Sequence, residues 1–269
     1  KGVLFRDCEP KSQGEAAGWY GCAVHAYVLM MNHIHILATP ADKVDTKKDG
    51  AIAFTGKVDN APREPDAVKW LDNDRIVIAN EGDYKGGTRG FSIFSKTGEM
   101  LFDSGTAYEY EAAKVGHFPD ARAGKKGIEP EGLETGKFGD DSLFFVTAER
   151  ASLIGVYKDT GAEPQFLQLL PSGVAPEGLV AIPSRNLMVS ANEADLIEDG
   201  GVRSHVMVYE QSEAPASYPQ ITSAGSDSLI GWGALSGLAA DPEVKGTLYA
   251  INDSFYGFQP RIFTIDATQ

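Results

Sequence analysis

The stretch that decides the fold is residues 130–150, PEGLETGKFGDDSLFFVTAER. It begins with a proline, an acid and a glycine, runs through two apolar segments separated by a polar turn, and ends on Glu149 and Arg150. Segments rich in β-branched and aromatic residues and bounded by turn formers predict β-strands. In an antiparallel hairpin the start of the first strand lies beside the end of the second, so Glu131 and Glu149 are predicted to meet.

The same pattern occurs four times in the chain. The other copies run from Pro65-Asp66-Ala67 to Asn80-Glu81, from Pro176-Glu177-Gly178 to Asn192-Glu193, and more loosely from Leu235-Ser236-Gly237 to Asn252-Asp253. A third apolar run follows each copy: GFSIFS, LIGVYKD, SHVMVYE and RIFTIDA. Strand, turn, strand, loop and strand recurring at roughly 45 to 65 residues are typical of propeller blades or solenoid units.

These repeats predict an all-β fold, a β-propeller of about four recognisable blades over residues 43–269. A doubly wound fold would need helices of 10–15 residues between the strands, and the sequence does not show them. Four units are few for a closed propeller, and the chain stops at Gln269 just after a third strand. We therefore expect an incomplete propeller with an unpaired sheet edge.

Composition separates the first forty residues from the rest. The chain has 24 Lys and Arg against 38 Asp and Glu, a net charge of -14, and the excess acid lies after Pro40. Such a charge repels nucleic acid and anionic membranes, so the expected partner of the propeller is a small molecule. Both cysteines, Cys8 and Cys22, precede the boundary, and two cysteines form no disulfide framework. The sequence leaves the oligomeric state open.

The acids of the repeats are candidate metal ligands, because the starts of the inner strands of a propeller converge on one mouth. Calcium takes six to eight hard oxygens from Asp, Glu and backbone carbonyls. The alternative is that these acids only accept backbone N–H groups in turns, and the repetition fits both interpretations equally. The candidate calcium ligands are Asp66, Glu81, Glu131, Glu149, Glu177, Glu193 and Asp253.

An acidic mouth could bind a phosphate ester through such a metal. Water would then attack phosphorus in line, and nearby cations would neutralise the transferring group. No covalent nucleophile is needed, no G-x-S-x-G elbow occurs, and no catalytic residue is assigned. The candidate substrate-binding cations are Arg63, Arg89, Arg150 and Arg203.

Several motifs carry a family resemblance over residues 59–266. They are VIANEGDY at 77–84, GIEPEGLE at 127–134, FVTAERAS at 145–152, VAPEGLVAIPSRNLMVSANE at 174–193 and GWGALSGLAADP at 231–242. This part of the chain resembles the secreted bacterial propeller proteins described as having esterase-like activity of phytase. The resemblance implies an exported or periplasmic protein that acts on phosphate esters, and members of that family usually continue beyond the point where this chain ends.

The first forty residues resemble a different family. The stretch YGCAVHAYVLMMNHIHILATP, residues 20–40, is similar to the REP-associated tyrosine transposases, in which a His-hydrophobic-His pair holds a divalent metal and a later tyrosine attacks single-stranded DNA. His33 and His35 match the pair, since residues i and i+2 of a strand share a face. Residues 1–42 are therefore interpreted as a transposase-like fragment, and DNA nicking through both histidines is a further hypothesis.

Overall fold

The computed structural model describes residues 39–61, 63–83, 88–214, 220–253 and 256–268. Within these ranges the chain forms 16 strands in five antiparallel sheets, together with the α-helix α1, Ala107–Lys114. The predicted all-β class is confirmed. Across the described residues, no helix has the length and apolar character needed to span a membrane.

The strands follow one another as consecutive antiparallel meanders. A two-stranded ribbon comes first, with β1 (Thr39–Val44) and β2 (Gly56–Ala61). Sheet I contains β3 (Pro65–Trp70), β4 (Arg75–Asn80), β5 (Gly90–Ser95) and β6 (Met100–Asp103). Sheet II contains β7 (Pro130–Phe138), β8 (Asp141–Ala148), β9 (Leu153–Lys158) and β10 (Gln165–Pro171). Sheet III contains β11 (Pro176–Ile182), β12 (Leu187–Asn192) and β13 (His205–Glu210). Sheet IV contains β14 (Leu235–Ala240), β15 (Thr247–Asn252) and β16 (Ile262–Asp266).

Each of sheets I to IV opens with the same hairpin geometry. The residue that follows the second strand donates its N–H to the carbonyl of the residue that precedes the first strand. These bonds are Glu81 to Glu64 (3.0 Å), Glu149 to Glu129 (2.9 Å), Glu193 to Ala175 (2.9 Å) and Asp253 to Ala234 (3.0 Å). All four accepting residues have φ between 47° and 57°, in the left-handed region. A β-bulge follows in every copy, for example between Pro130 and Leu133.

Sheets I, II and III pack in sequence through their first strands, because β7 contacts both β3 and β11. Sheet II packs against a hydrophobic core on each of its two faces, and alternate residues of β8 point into them. Phe144 and Val146 face the core shared with sheet I and α1, whereas Phe145 faces the core shared with sheet III. Burying a side chain of this size stabilises a fold by about 1.5–3 kcal/mol. The two cores therefore hold the first hairpins of the three sheets close together.

Two elements differ from the prediction of three strands in each unit. Sheets I and II have fourth strands, β6 and β10, which the sequence does not signal because they are short or mostly exposed and lack a clear alternation. The predicted boundary between residues 42 and 43 falls inside β1, whose backbone pairs with β2. The junction between the two compositional regions is therefore part of a strand pair.

Candidate functional site

The acids of sheets I to III meet where the first hairpins open. Carboxylate oxygens of Glu131, Glu149 and Glu177 all lie within 4.8 Å of one another, and those of Glu81, Glu129 and Glu131 do the same. Glu131 belongs to both groups. The residues of this carboxylate cluster come from three sheets and are Asp66, Glu81, Glu129, Glu131, Glu149, Glu177 and Glu193.

Gly132 allows strands β7 and β11 to approach each other closely. A Cβ atom built on Gly132 would lie 1.9 Å from the carbonyl oxygen of Glu177, which is far inside van der Waals contact. The Gly132 N–H also donates to Thr147 Oγ1 at 2.6 Å. Because Glu131 directly precedes this point of contact, the absence of a side chain at Gly132 lets Glu131 and Glu177 stand side by side.

One half of the cluster already contains cations. Glu129 is buried, and its carboxylate accepts hydrogen bonds from Lys126 Nζ (2.8 Å), Arg122 Nη2 (2.5 Å) and Arg150 Nε (2.9 Å). Lys126 also pairs with Glu81. Burial alone would raise the pKa of Glu129, but the bonds from Lys126 and Arg150 and the nearby charges outweigh it and lower this pKa. Glu129 is therefore a carboxylate held ionised by its partners.

The other half of the cluster has less compensation, which comes from the contact of Arg150 with Glu149. Burial, followed by the charges of Glu149 and Glu177, raises the pKa of Glu131 to about 8. Burial and the charge of Glu129 raise the pKa of Glu149 to about 7, although Arg150 Nη1 lies 2.7 Å from Glu149 Oε1. Burial also raises the pKa of Glu177. Near neutral pH Glu131 and Glu149 therefore share protons instead of both being ionised.

The remaining predicted ligands lie around this centre. Burial and the charge of Glu81 raise the pKa of Asp66, and Glu177 and Glu193 interact electrostatically. Asp253 belongs to sheet IV, which is attached through loop contacts such as that of the Tyr256 hydroxyl with the Phe118 carbonyl (2.9 Å). Among the described residues, neither of the two groups of three carboxylates within 4.8 Å of one another includes Asp66, Glu193 or Asp253.

The alternative interpretation of these acids is that they only hold turns together. The repeated hydrogen bond of the hairpins uses the backbone N–H and carbonyl groups, which any residue could supply. In the part of the chain that the structure describes, no backbone N–H donates to the carboxylate of Glu131 or Glu177. Turn formation therefore does not account for the carboxyl groups at these two positions.

Two of the four candidate cations are structural. Arg63 precedes β3 and is buried against sheet I, where it donates to Ser92 Oγ at 2.8 Å and pairs with Asp103. The Arg89 side chain is fully buried and pairs with Glu109 of α1, which is fully buried as well. The expectation that these arginines contact a substrate at the mouth is corrected, because neither guanidinium is accessible from solvent.

The other two candidate cations occupy different surroundings. Arg203 is exposed and pairs with Asp195 at 2.9 Å in the loop before β13. Arg150 lies beside the carboxylate cluster and is partly exposed. Only Arg150 of the predicted set is therefore placed next to the candidate ligands.

Three members of the site were not predicted: Glu129, Lys126 and Arg122. Glu129 stands directly before Pro130 in the motif GIEPEGLE, at the position that has a positive φ in every hairpin. Lys126 and Arg122 come from the connection between α1 and β7, and no repeat marks them. Clustered negative charge favours a cation nearby, but the sequence does not show that this connection supplies it. The position of Lys126 and Arg122 in the cluster depends on tertiary contacts.

His33 and His35 lie outside the described residues. The DNA-nicking hypothesis for residues 1–42 therefore stays a prediction. It predicts metal-dependent cleavage of single-stranded hairpin DNA that is lost in His33→Ala.

A family model described as the choice-of-anchor I domain matches residues 84–162. This segment includes β5, β6, α1 and all of β7 to β9, and therefore Glu129, Glu131 and Glu149. The match covers less than a third of the chain. No curated protein matches the sequence.

Proposed function

We propose that this protein binds a divalent cation, Ca²⁺ in the first instance, at Glu131, Glu149 and Glu177. The observation that carries the proposal is the approach of these three carboxyl groups, from two different sheets, to within 4.8 Å of one another. Like charges at that separation are unfavourable unless a proton or a cation lies between them. The raised pKa values of Glu131 and Glu149 are the electrostatic consequence of that repulsion and of burial.

Calcium suits this donor set better than a transition metal does. All three side chains offer hard carboxylate oxygens, and Ca²⁺ accepts flexible geometries with six to eight oxygen ligands. The half of the cluster around Glu129 is less suitable, because Lys126, Arg122 and Arg150 already neutralise it. The ion is therefore assigned to the Glu177 side, with Glu131 shared between the two halves.

The sheets are proposed to be blades of a β-propeller. Support comes from their repeated meander, from the common hairpin opening and from the packing of β3, β7 and β11 against one another. In such a fold the openings of the first strands gather at one mouth. A carboxylate cluster at that place is then accessible to a ligand from the solvent.

The proposed location is the cell exterior or the cell surface. The description of the matching family model points to an extracellular or cell-surface protein. The resemblance to exported phytase-like proteins points in the same direction. Extracellular calcium sites work at dissociation constants of roughly 0.1–1 mM, which a partly exposed site of three carboxylates can reach.

Calorimetric titration with CaCl₂ tests the proposal. We expect one ion per chain with a Kd on the order of 0.1 mM, and release of about one proton per ion at pH 7, because Glu131 and Glu149 are partly protonated there. Repeating the titration in buffers of different ionisation enthalpy measures the proton release. Glu131→Gln and Glu177→Gln should each weaken binding by about tenfold or more.

The matched control is Glu163→Gln. Glu163 lies in the turn between β9 and β10, at the opposite end of sheet II from the cluster, and is exposed. This variant should titrate like the wild type. Absence of binding at millimolar calcium, or equal weakening by all three substitutions, would refute the assigned site.

A second candidate function is calcium-assisted hydrolysis of phosphate monoesters. The observation that favours it is the presence of accessible cations beside the acids, since Arg150 and Arg122 are both partly exposed. A bound Ca²⁺ would attract the phosphate and polarise its oxygens. Arg150 lies beside the cluster and would contact a phosphate oxygen, and the leaving oxygen would take its proton from solvent, because Glu131 gives up its proton when calcium binds.

Hydrolysis of p-nitrophenyl phosphate and of inositol hexakisphosphate, with and without calcium, tests this second function. Arg150→Gln should lower kcat/KM by about tenfold to a hundredfold, as loss of a charge-stabilising group does. Arg203→Gln removes an exposed arginine away from the cluster and should leave the rate unchanged. If calcium binds and neither ester is cleaved, the protein is a cation-binding module and the hydrolase proposal fails.

A further inference from the structure

Within the described residues, the outer edge of β13 pairs with no other strand. Sheets I and II are completed by the fourth strands β6 and β10, whereas sheet III ends at β13 in the described part of the chain. The pairing of both fourth strands with their neighbours is interrupted by a bulge. The pairing of β12 with β13 is regular from His205 to Glu210. Bulges, lysines and prolines protect natural edges from association, and the sequence HVMVYE contains no lysine or proline.

The chain that follows β13 does not supply the missing strand within the described residues. Ser223 N–H donates to the Lys114 carbonyl at 2.8 Å, and the Trp232 indole N–H donates to the same carbonyl at 3.4 Å. These bonds attach the segment before β14 to the end of α1. In sheets I and II, by contrast, a short turn returns the chain directly along the third strand.

The hydrogen-bonding groups of this edge can be assigned from its inner partner. Gln211 N–H donates to the Asn186 carbonyl, so the residue at position 211 points toward β12. Backbone groups of a strand alternate in direction. The N–H and carbonyl groups of Val206, Val208 and Glu210 therefore point outward, away from sheet III.

The side chains at the edge are apolar and exposed. Val206 and Val208 are each 62 % exposed. Val180 of β11 and Val208 both pair with Val189 of β12, so their side chains lie on the same face of the sheet. A valine face next to an unpaired edge favours the addition of another strand, because the strand would satisfy the backbone and extend the apolar surface at once.

We propose that β13 pairs antiparallel with β13 of a second copy of this chain around a two-fold axis perpendicular to the sheet. Such an axis leaves corresponding faces of the two sheets on the same side of the joint sheet. Residues opposite each other must therefore point to the same face, so even-numbered residues pair with even-numbered ones and odd-numbered with odd-numbered ones. Val206 then lies opposite Val208 of the second copy, and both use their outward backbone groups. Met207 then lies opposite Met207 of the second copy, and Glu210 lies opposite Ser204 of the second copy. The register brings no like charges opposite each other, and the two copies form one six-stranded sheet.

Sedimentation velocity of the wild-type chain from about 1 to 500 µM, in buffer with at least about 0.15 M salt to screen its net negative charge, tests the proposal. We expect a monomer-dimer equilibrium. Val208→Lys should weaken the dimer by tenfold or more in Kd, on the order of 1.4 kcal/mol, because the two-fold axis places the substitution in the interface twice.

Two control variants separate the proposed edge from general surface effects. Val244→Lys charges a valine of comparable exposure in the turn between β14 and β15, away from any strand edge. Thr264→Lys charges β16, the outer strand of sheet IV. Both variants should dimerise like the wild type, and circular dichroism should show all three variants folded. A wild type that stays monomeric at the highest concentration overturns the proposal, and so does a dimer that is weakened by Thr264→Lys and not by Val208→Lys.

Discussion

Gly132→Ala is expected to destabilise the protein by about 3 kcal/mol or more, at the upper end of the range for overpacked interiors. The added methyl group would lie 1.9 Å from the carbonyl oxygen of Glu177. The obstacle is a backbone atom of a neighbouring strand, so no rotamer change can relieve the clash. Strands β7 and β11 must move apart, and the core between sheets II and III must loosen with them.

Urea denaturation measures this loss, and Gly178→Ala is the matched control. Gly178 occupies the equivalent position of the next hairpin, where a Cβ atom would lie 3.4 Å from the Ala191 Cβ, in ordinary contact. Replacing a strand glycine by alanine without a clash is neutral or stabilises a protein by about 0.5–1 kcal/mol, because it reduces the entropy of the unfolded chain. Equal stability of the two variants would show that β7 and β11 do not approach as the structure describes.

The contrast between these two glycines shows what the sequence alone can predict. The motif Pro-Glu-Gly is the same at residues 130–132 and 176–178, and its repetition predicts both hairpins. The pattern cannot say which glycine faces a neighbouring strand, because that depends on the order in which the sheets pack. The local part of the fold was therefore predictable, and the part that depends on contacts between sheets was not.

The contacts of the candidate site also divide into some that the sequence predicts and others that depend on tertiary packing. The pairing of acids within one hairpin follows from strand geometry, and the electrostatic contacts of Glu131 with Glu149 and of Glu177 with Glu193 have that origin. The insertion of Lys126 between Glu81 and Glu129 comes from a loop that carries no repeat. Arginines were predicted from charge alone, and charge does not distinguish a buried structural pair from a ligand.

The calcium-free protein should lose stability as the pH rises from 5 to 8, by about 3 kcal/mol after allowance for solvent screening of partly buried groups. Glu131 and Glu149 have native pKa values of about 8 and about 7, above their value of 4.5 in the unfolded chain. Between these limits the native state binds more protons than the unfolded state, so its stability is complete below pH 4.5 and is lost as the pH passes the native values. Glu129, with its lowered pKa, acts in the opposite sense and loses its contribution only in acid.

Thermal unfolding at a series of pH values checks this expectation. The melting temperature should fall by roughly 6–10 °C between pH 5 and 8 in the presence of a chelator. Glu131→Gln should be more stable than the wild type at pH 8 and show a flatter profile, because glutamine is neutral like the protonated acid. Burial also raises the pKa values of Glu109 and Asp120 elsewhere in the chain, so the difference between the variant and the wild type is what isolates the cluster. Parallel profiles for the two proteins would contradict the assignment of the repulsion to Glu131.

Calcium should reverse the loss. An ion that binds only the native state stabilises it by RT ln(1 + [L]/Kd), and it must displace the protons that Glu131 and Glu149 hold. Saturating calcium should therefore raise the melting temperature strongly at pH 8 and little at pH 5, whereas Glu131→Gln should gain little at either pH. A variant that is more stable without calcium and insensitive to calcium would mean that the cluster is retained at a cost in stability, as expected of a binding site. A variant that is less stable at every pH would mean that Glu131 supports the fold, and the proposed site would lose its shared ligand.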